Sequence, residues 1–117
     1  GAPGHHFPIA IAQELTGLPQ FRRYSHYTAY SEGWGLYTER LAKEMGGYRD
    51  PYSEFGRLSL ELLRASRLVI DTGVHAKGWS REKAIKYMRD NLPGCLDDQK
   101  NEVERYIVMP GQATAYM

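Results

Sequence analysis

Cysteine is almost missing from this chain, and the one present, Cys95, excludes an internal disulfide framework while leaving the redox compartment open. It sits in the turn sequence Leu92-Pro93-Gly94-Cys95-Leu96, where a structural thiol is a better reading than a nucleophile. Nor does charge of one sign dominate: 15 basic side chains stand against 14 acidic ones, for a formal net charge of +1. With no basic stripe, nucleic acid is excluded as a partner and an anionic membrane is a poor one. Long apolar runs are lacking too, since none approaches the roughly 20 residues of a membrane-spanning helix. No signal peptide is visible at the N-terminus, which carries little weight if the chain is an excised piece. There is no useful run of apolar and polar alternation for a strand, no internal repeat and no low-complexity segment. What is left is a chain of 117 residues, long enough for a single domain with its own core, whose spacings are helical throughout. The fold class is all-α, with about five helices joined by short loops in a bundle-like arrangement.

The punctuation places those helices. Gly1-Ala2-Pro3-Gly4 is an abrupt opening and reads as an internal cut. Pro8 is acceptable only in a first helical turn, so the first helix starts near His6 or Phe7 and stops at Thr16-Gly17-Leu18-Pro19, with Gly17 as the C-cap signal. A central helix follows Phe21-Arg22-Arg23 and ends at Gly46-Gly47. Asp50-Pro51 restarts the chain with an N-cap and a proline at the first helical position, opening a long helix to about Ala76. Ser80 caps another from Arg81 to about Asn91, and Asp97-Asp98 opens one that runs through Val108. After Met109-Pro110-Gly111-Gln112, the residues from Ala113 to Met117 read as the first turn of a further helix.

The central stretch, Tyr24 to Leu41, carries the strongest signal. Tyr27, Tyr30, Trp34, Tyr37, Leu41 and Met45 recur every three or four residues and predict an aromatic stripe packed against a neighbour. The opposite face carries Ser25, Thr28, Glu32 and Glu39. An ordinary surface helix with a wet side would look the same, except that Gly33 and Gly35 flank Trp34 where each costs about 0.5–1 kcal/mol relative to alanine. Glycine there predicts that something approaches the backbone closely beside Glu32, which makes that carboxylate a candidate metal ligand or acid/base group. The long helix is apolar around most of its circumference through Leu62, Leu63, Val69, Ile70 and Val74, and so is expected to be buried on several sides. The exception is the line Arg64, Arg67, Asp71 and His75, stepping along one face. Exposed ion pairs and a charged line facing a polar cavity are both compatible with that pattern, and buried charges persist only when paired.

Of the four histidines, His26 reads as structural. His5 and His6 are adjacent and point about 100 degrees apart on a helix, so one could bind a metal while the other supports it. With Glu32 they form a candidate zinc set, since zinc sites use imidazole nitrogen and carboxylate oxygen.

Several segments in succession carry a resemblance: Pro3-Gly4-His5-His6-Phe7; Tyr30-Ser31-Glu32-Gly33-Trp34-Gly35-Leu36-Tyr37-Thr38-Glu39; Arg67 to His75 with Gly78-Trp79-Ser80-Arg81; and Arg105-Tyr106 with Pro110-Gly111-Gln112-Ala113. Together they resemble the bacterial family called domain of unknown function 885, grouped with the gluzincin-like zinc metallopeptidases. The resemblance implies hydrolysis of peptide bonds by a zinc-bound water, with His5 or His6 and Glu32 as metal ligands. It further implies a His-Glu pair immediately before Gly1, supplying the first ligand and the general base. The chain is then a C-terminal part of the catalytic region, inactive alone, whose partners are a peptide substrate and the missing N-terminal part of the same protein. Pro8 stands where the family pattern leads one to expect glutamine. On the same footing, His75 or Tyr106 could stabilise the oxyanion, Asp71 could orient His75, and Arg67 could pair with Asp71 or grip a substrate carboxylate. Gln112 and Tyr116 could bind substrate backbone. A helical scaffold or interaction module from a degenerate relative is the alternative, and exposed aromatic surface would favour self-association in either case.

Overall fold

The computed structural model describes residues 4–116. Six helices follow one another: α1 (His6–Glu14), α2 (Gln20–Tyr24), α3 (Thr28–Glu44), α4 (Pro51–Lys77), α5 (Arg81–Asn91) and α6 (Leu96–Val108). No strand occurs among the described residues, so the chain is all-α. Read as one domain in sequence, the chain divides into two compact units, Gly1–Arg49 with Ala115–Met117, and Asp50–Thr114.

The capping chemistry works where it was expected. Asp50 Oδ1 accepts from the Tyr52 and Ser53 amides at 2.9 and 3.0 Å, and Oδ2 accepts from the Ser53 hydroxyl at 2.6 Å. The Ser53 hydroxyl and the two amides hold the Asp50 carboxyl below its usual range, so this cap is lost only as pH falls well into acid. Ser80 Oγ accepts from the Lys83 amide at 3.2 Å and opens α5. Gly78, at φ +63°, takes the left-handed conformation that ends α4, and the Trp79 amide reaches back to the Gly73 carbonyl at 2.9 Å. Three expectations need correction. Phe21-Arg22-Arg23, expected only to precede the central helix, is the body of a separate short helix, α2. Gly17 is not a left-handed cap, since α1 ends at Leu15 in extended backbone. Residues 110–116 form turns and no helix.

In the second unit α4, α5 and α6 pack around Ile70, Ala84, Met88, Leu92, Val103, Tyr106 and Ala113, which hold all the buried hydrophobic side chains described. The long helix is not buried on several sides. Its inward face carries Leu63, Arg67, Ile70 and Val74, whereas Leu62 and Val69 are exposed. At its C-terminal end Gly73 lies under the Trp79 ring, where an added Cβ would stand 2.6 Å from ring carbons. Lys83 Nζ covers that ring 4.4 Å from its centroid, and Tyr87 tilts against it at 5.7 Å.

Two glycines of α4 therefore respond oppositely to alanine. Gly73→Ala forces the Trp79 ring away, and overpacking of roughly 1–3 kcal/mol outweighs a propensity gain of about 1 kcal/mol. Gly56 has no atom within 4 Å of an added Cβ, so Gly56→Ala stabilises by about 0.5–1 kcal/mol. Urea midpoints of the two variants should move in opposite directions, Gly73→Ala downward.

Candidate functional site

In the first unit, α1 meets α3 through part of the aromatic stripe, Tyr30 and Trp34. The buried line of α3 is Ser31, Gly35 and Thr38, spaced four and three, while Tyr27, Tyr30, Tyr37 and Met45 are exposed. Small residues on that line leave room for a neighbouring side chain, and the stripe meets α1 through Tyr30 and Trp34. Tyr30 and Trp34 line a cavity of about 180 Å³ there with Phe7, Pro8, Ile11 and Leu15. Thr38 Oγ1 is satisfied inside its own helix by the Gly35 carbonyl at 2.8 Å, so this contact leaves its hydroxyl no unpaired donor.

The close approach brings an imidazole to a carboxylate. The His5 ring rests on Gly35, where a Cβ would stand 2.7 Å from His5 Cε1. From there His5 Nε2 reaches Glu32 Oε2 at 2.7 Å. Gly35 is thus a true close-approach position, whereas Gly33 has nothing within 4 Å of an added Cβ and the expectation fails there. The Glu32 side chain is 14% exposed and that of His5 43%, so the carboxylate lies largely out of water beneath a more accessible ring. His6, at the first position of α1, is exposed. Of the two adjacent histidines, His5 is the one brought to Glu32. Among the described residues, no group of three or more His, Cys, Asp or Glu side chains is arranged to hold a metal ion.

The second unit has its own polar cluster. Arg67 and Tyr106, 4% and 1% exposed, meet between α4 and α6. Arg67 Nε donates to the Tyr106 hydroxyl at 3.0 Å, which in turn donates to Glu102 Oε2 at 2.6 Å. Glu102 also receives Arg67 Nη2 at 3.4 Å and Arg105 Nη2 at 2.9 Å. Burial, and then the hydrogen bond to Glu102, push the Tyr106 phenol well above its ordinary value, with the Arg67 charge acting against them. Asp71 is 4% exposed and accepts the Gly111 amide on both oxygens, at 3.3 and 3.2 Å, tying down the turn after α6. His75 Nε2 donates to the Tyr106 carbonyl at 2.9 Å and lies 3.6 Å from Asp71 Oδ1. A carbonyl can only accept, so a neutral His75 carries its proton on Nε2.

The line through Arg67, Asp71 and His75 thus faces α6 and the turn beyond it. Gln112 and Tyr116 are half-buried, and both are engaged within the fold. Glu102, which joins two arginines and a tyrosine, was missed in the sequence. Its position four residues before Tyr106 and three before Arg105 was the available signal.

An all-helical chain with a His5–Glu32 contact in one unit and a buried arginine–tyrosine–glutamate cluster in the other is the class defined so far. Over residues 1–117 it matches the family described as bacterial protein of unknown function (DUF885), and it belongs to that family. No curated protein matches it.

Removing the phenolic oxygen tests the second cluster. Tyr106→Phe strips one partner from a buried guanidinium and one from Glu102, and is expected to cost about 1–3 kcal/mol in chemical denaturation. The sign in alkali also follows. With its folded pKa raised, Tyr106 contributes stability that is complete below the unfolded value of about 10 and is lost as pH climbs through the folded one. Wild type should therefore lose stability above about pH 10 more steeply than Tyr106→Phe, and in ultraviolet titration the variant should lack the last tyrosinate to form.

Proposed function

We propose that this chain is part of a zinc-dependent peptidase, with His5 and Glu32 supplying two of the metal's protein ligands. The observation that carries the reading is the 2.7 Å contact between His5 Nε2 and Glu32 Oε2. The donor set suits zinc, a borderline-soft ion that takes imidazole nitrogen and carboxylate oxygen at about 2.0–2.2 Å. Two such ligands at a tetrahedral angle stand about 3.3 Å apart, so the pair has only to open by about half an ångström. When bound, zinc would supply an activated water for attack on a peptide bond. Two ligands are too few for a catalytic site, and the reading assigns the third ligand and the general base to a His-Glu pair preceding residue 1 in a longer parent protein.

The chain's own residues have plain tasks in this scheme. Gly35 leaves room for the His5 ring, and the direct bond between His5 Nε2 and Glu32 holds the two groups together until zinc takes its place. In the second unit, the Nε2 proton of His75 is spent on the Tyr106 carbonyl, so His75 becomes a donor to substrate through Nδ1 only when protonated. The Tyr106 hydroxyl already donates to Glu102. That commitment favours the second reading for this part of the chain, a helical scaffold with no catalytic role, in which Arg67, Tyr106 and Glu102 hold helices together.

The test is zinc content and peptide hydrolysis measured on the longest natural chain that contains these 117 residues. One equivalent of zinc, lost together with hydrolysis in Glu32→Gln while the circular dichroism stays unchanged, supports the peptidase. No bound metal in a folded protein supports the scaffold. For the 117-residue chain itself, zinc binding should be weak or absent, because two ligands rarely hold the ion against water. A tight stoichiometric zinc in calorimetry would contradict this ligand assignment.

A further inference from the structure

Helix α4 is apolar on two opposite sides, and only one side is used. Leu63, Ile70 and Val74 face the core of the second unit. On the far side Phe55, Leu58, Leu62, Ala65, Val69, Thr72 and Ala76 step by three and four residues without a break, the spacing of a heptad seam. Every one of them is exposed, the four largest by between 39% and 64%. The polar groups on and beside the seam are already satisfied. Thr72 Oγ1 donates to the Leu68 carbonyl at 2.6 Å, which leaves its methyl outward, and Ser59 Oγ donates to the Phe55 carbonyl at 2.9 Å. Arg57 bridges Glu54 and Glu61 along the flank at 3.0 and 2.6 Å. About 31 Å of helix, from Phe55 to Ala76, thus presents a dry stripe to solvent.

We propose that this seam is the docking surface for α4 of a second copy of the chain, the two helices running antiparallel. The sizes along the seam are self-complementary only in that direction. Antiparallel pairing with a twofold axis between Leu63 and Arg64 sets Phe55 against Thr72 of the other copy, Leu58 against Val69 and Leu62 against Ala65, one large and one smaller residue in each layer. Parallel pairing stacks Phe55 and the leucines on themselves at one end and leaves Ala65, Thr72 and Ala76 facing each other at the other, so the layers cannot be equally thick. Charge agrees with the antiparallel choice. It sets the acidic first turn of one helix, with Glu54, beside the last turn of the other, with Lys77, and it opposes the two helix dipoles.

Sedimentation equilibrium of the longest natural chain that contains these 117 residues should give twice that chain's mass at micromolar concentration. A longer chain that stays monomeric while the 117-residue chain pairs would assign the seam to the rest of the protein and overturn the proposal. Leu62→Glu should return the mass to one chain with helical circular dichroism retained, while Tyr37→Glu, an equally exposed site on α3, should leave the dimer intact. Orientation is read by oxidising mixed single-cysteine chains in a Cys95→Ser background. Leu58→Cys with Val69→Cys should yield the mixed disulfide. A wild-type monomer at every concentration, a dimer that survives Leu62→Glu, or homodisulfides in place of the mixed one would each overturn the proposal.

Discussion

Arg67 carries a permanent charge into the contact between α4 and α6, where only 4% of the residue remains exposed. A guanidinium in that position is tolerated only with its donors matched. The packing of the second unit answers that requirement. Tyr106 comes from α6 to accept from Nε, and Glu102, one turn earlier on the same helix, supplies the compensating charge to both. The guanidinium also lies 5.2 Å from the centroid of the Tyr106 ring, so the ring packs with the charge as well as bonding to it. Ile70 on α4 and Val103 on α6 are fully buried beside them. Asp71, next along α4, then binds the Gly111 amide and fixes how the chain leaves α6.

The first unit is built on a different economy. Its buried residues are Pro8, Ser31, Gly35 and Thr38, none of them a large apolar side chain. What α1 and α3 share is a cavity lined by Phe7, Ile11, Tyr30 and Trp34, and the His5 ring occupies the room left by Gly35. The aromatics that dominate the composition of this segment stay largely outside, around a shallow cavity. A unit of this kind gains little from the hydrophobic effect, so the 2.7 Å contact between His5 and Glu32 is a prominent specific interaction in it.

Much of the fold was legible because local chemistry decides local structure. Asp50-Pro51 and Ser80 each open a helix through groups within three residues, and a sequence displays such groups directly. The stripe reading of α3 held only in part, for an equally physical reason. Periodicity finds a face but not its use, and a line of Ser, Gly and Thr has no hydrophobic signature although it leaves room for the His5 ring. In α4 the same limitation merged two apolar faces into one, because a heptad seam and a core face overlap when counted by residue type alone.

The residues of the candidate site were named from the sequence, and their groupings were not. Sequence alone determined the all-helical class, the caps, the singular cysteine, and the placing of His5, Glu32, Arg67 and Tyr106 among the residues to watch. Tertiary structure decided that His5 rather than His6 meets Glu32, that Arg67 answers to Tyr106 and Glu102, and that Tyr30 and Trp34 are the part of the aromatic stripe set against α1. Caps and turns are settled by neighbours along the chain. Which side chain lies within 3 Å of another, tens of residues away, depends on how closely two helices can approach, and that is a property of the packed surfaces together.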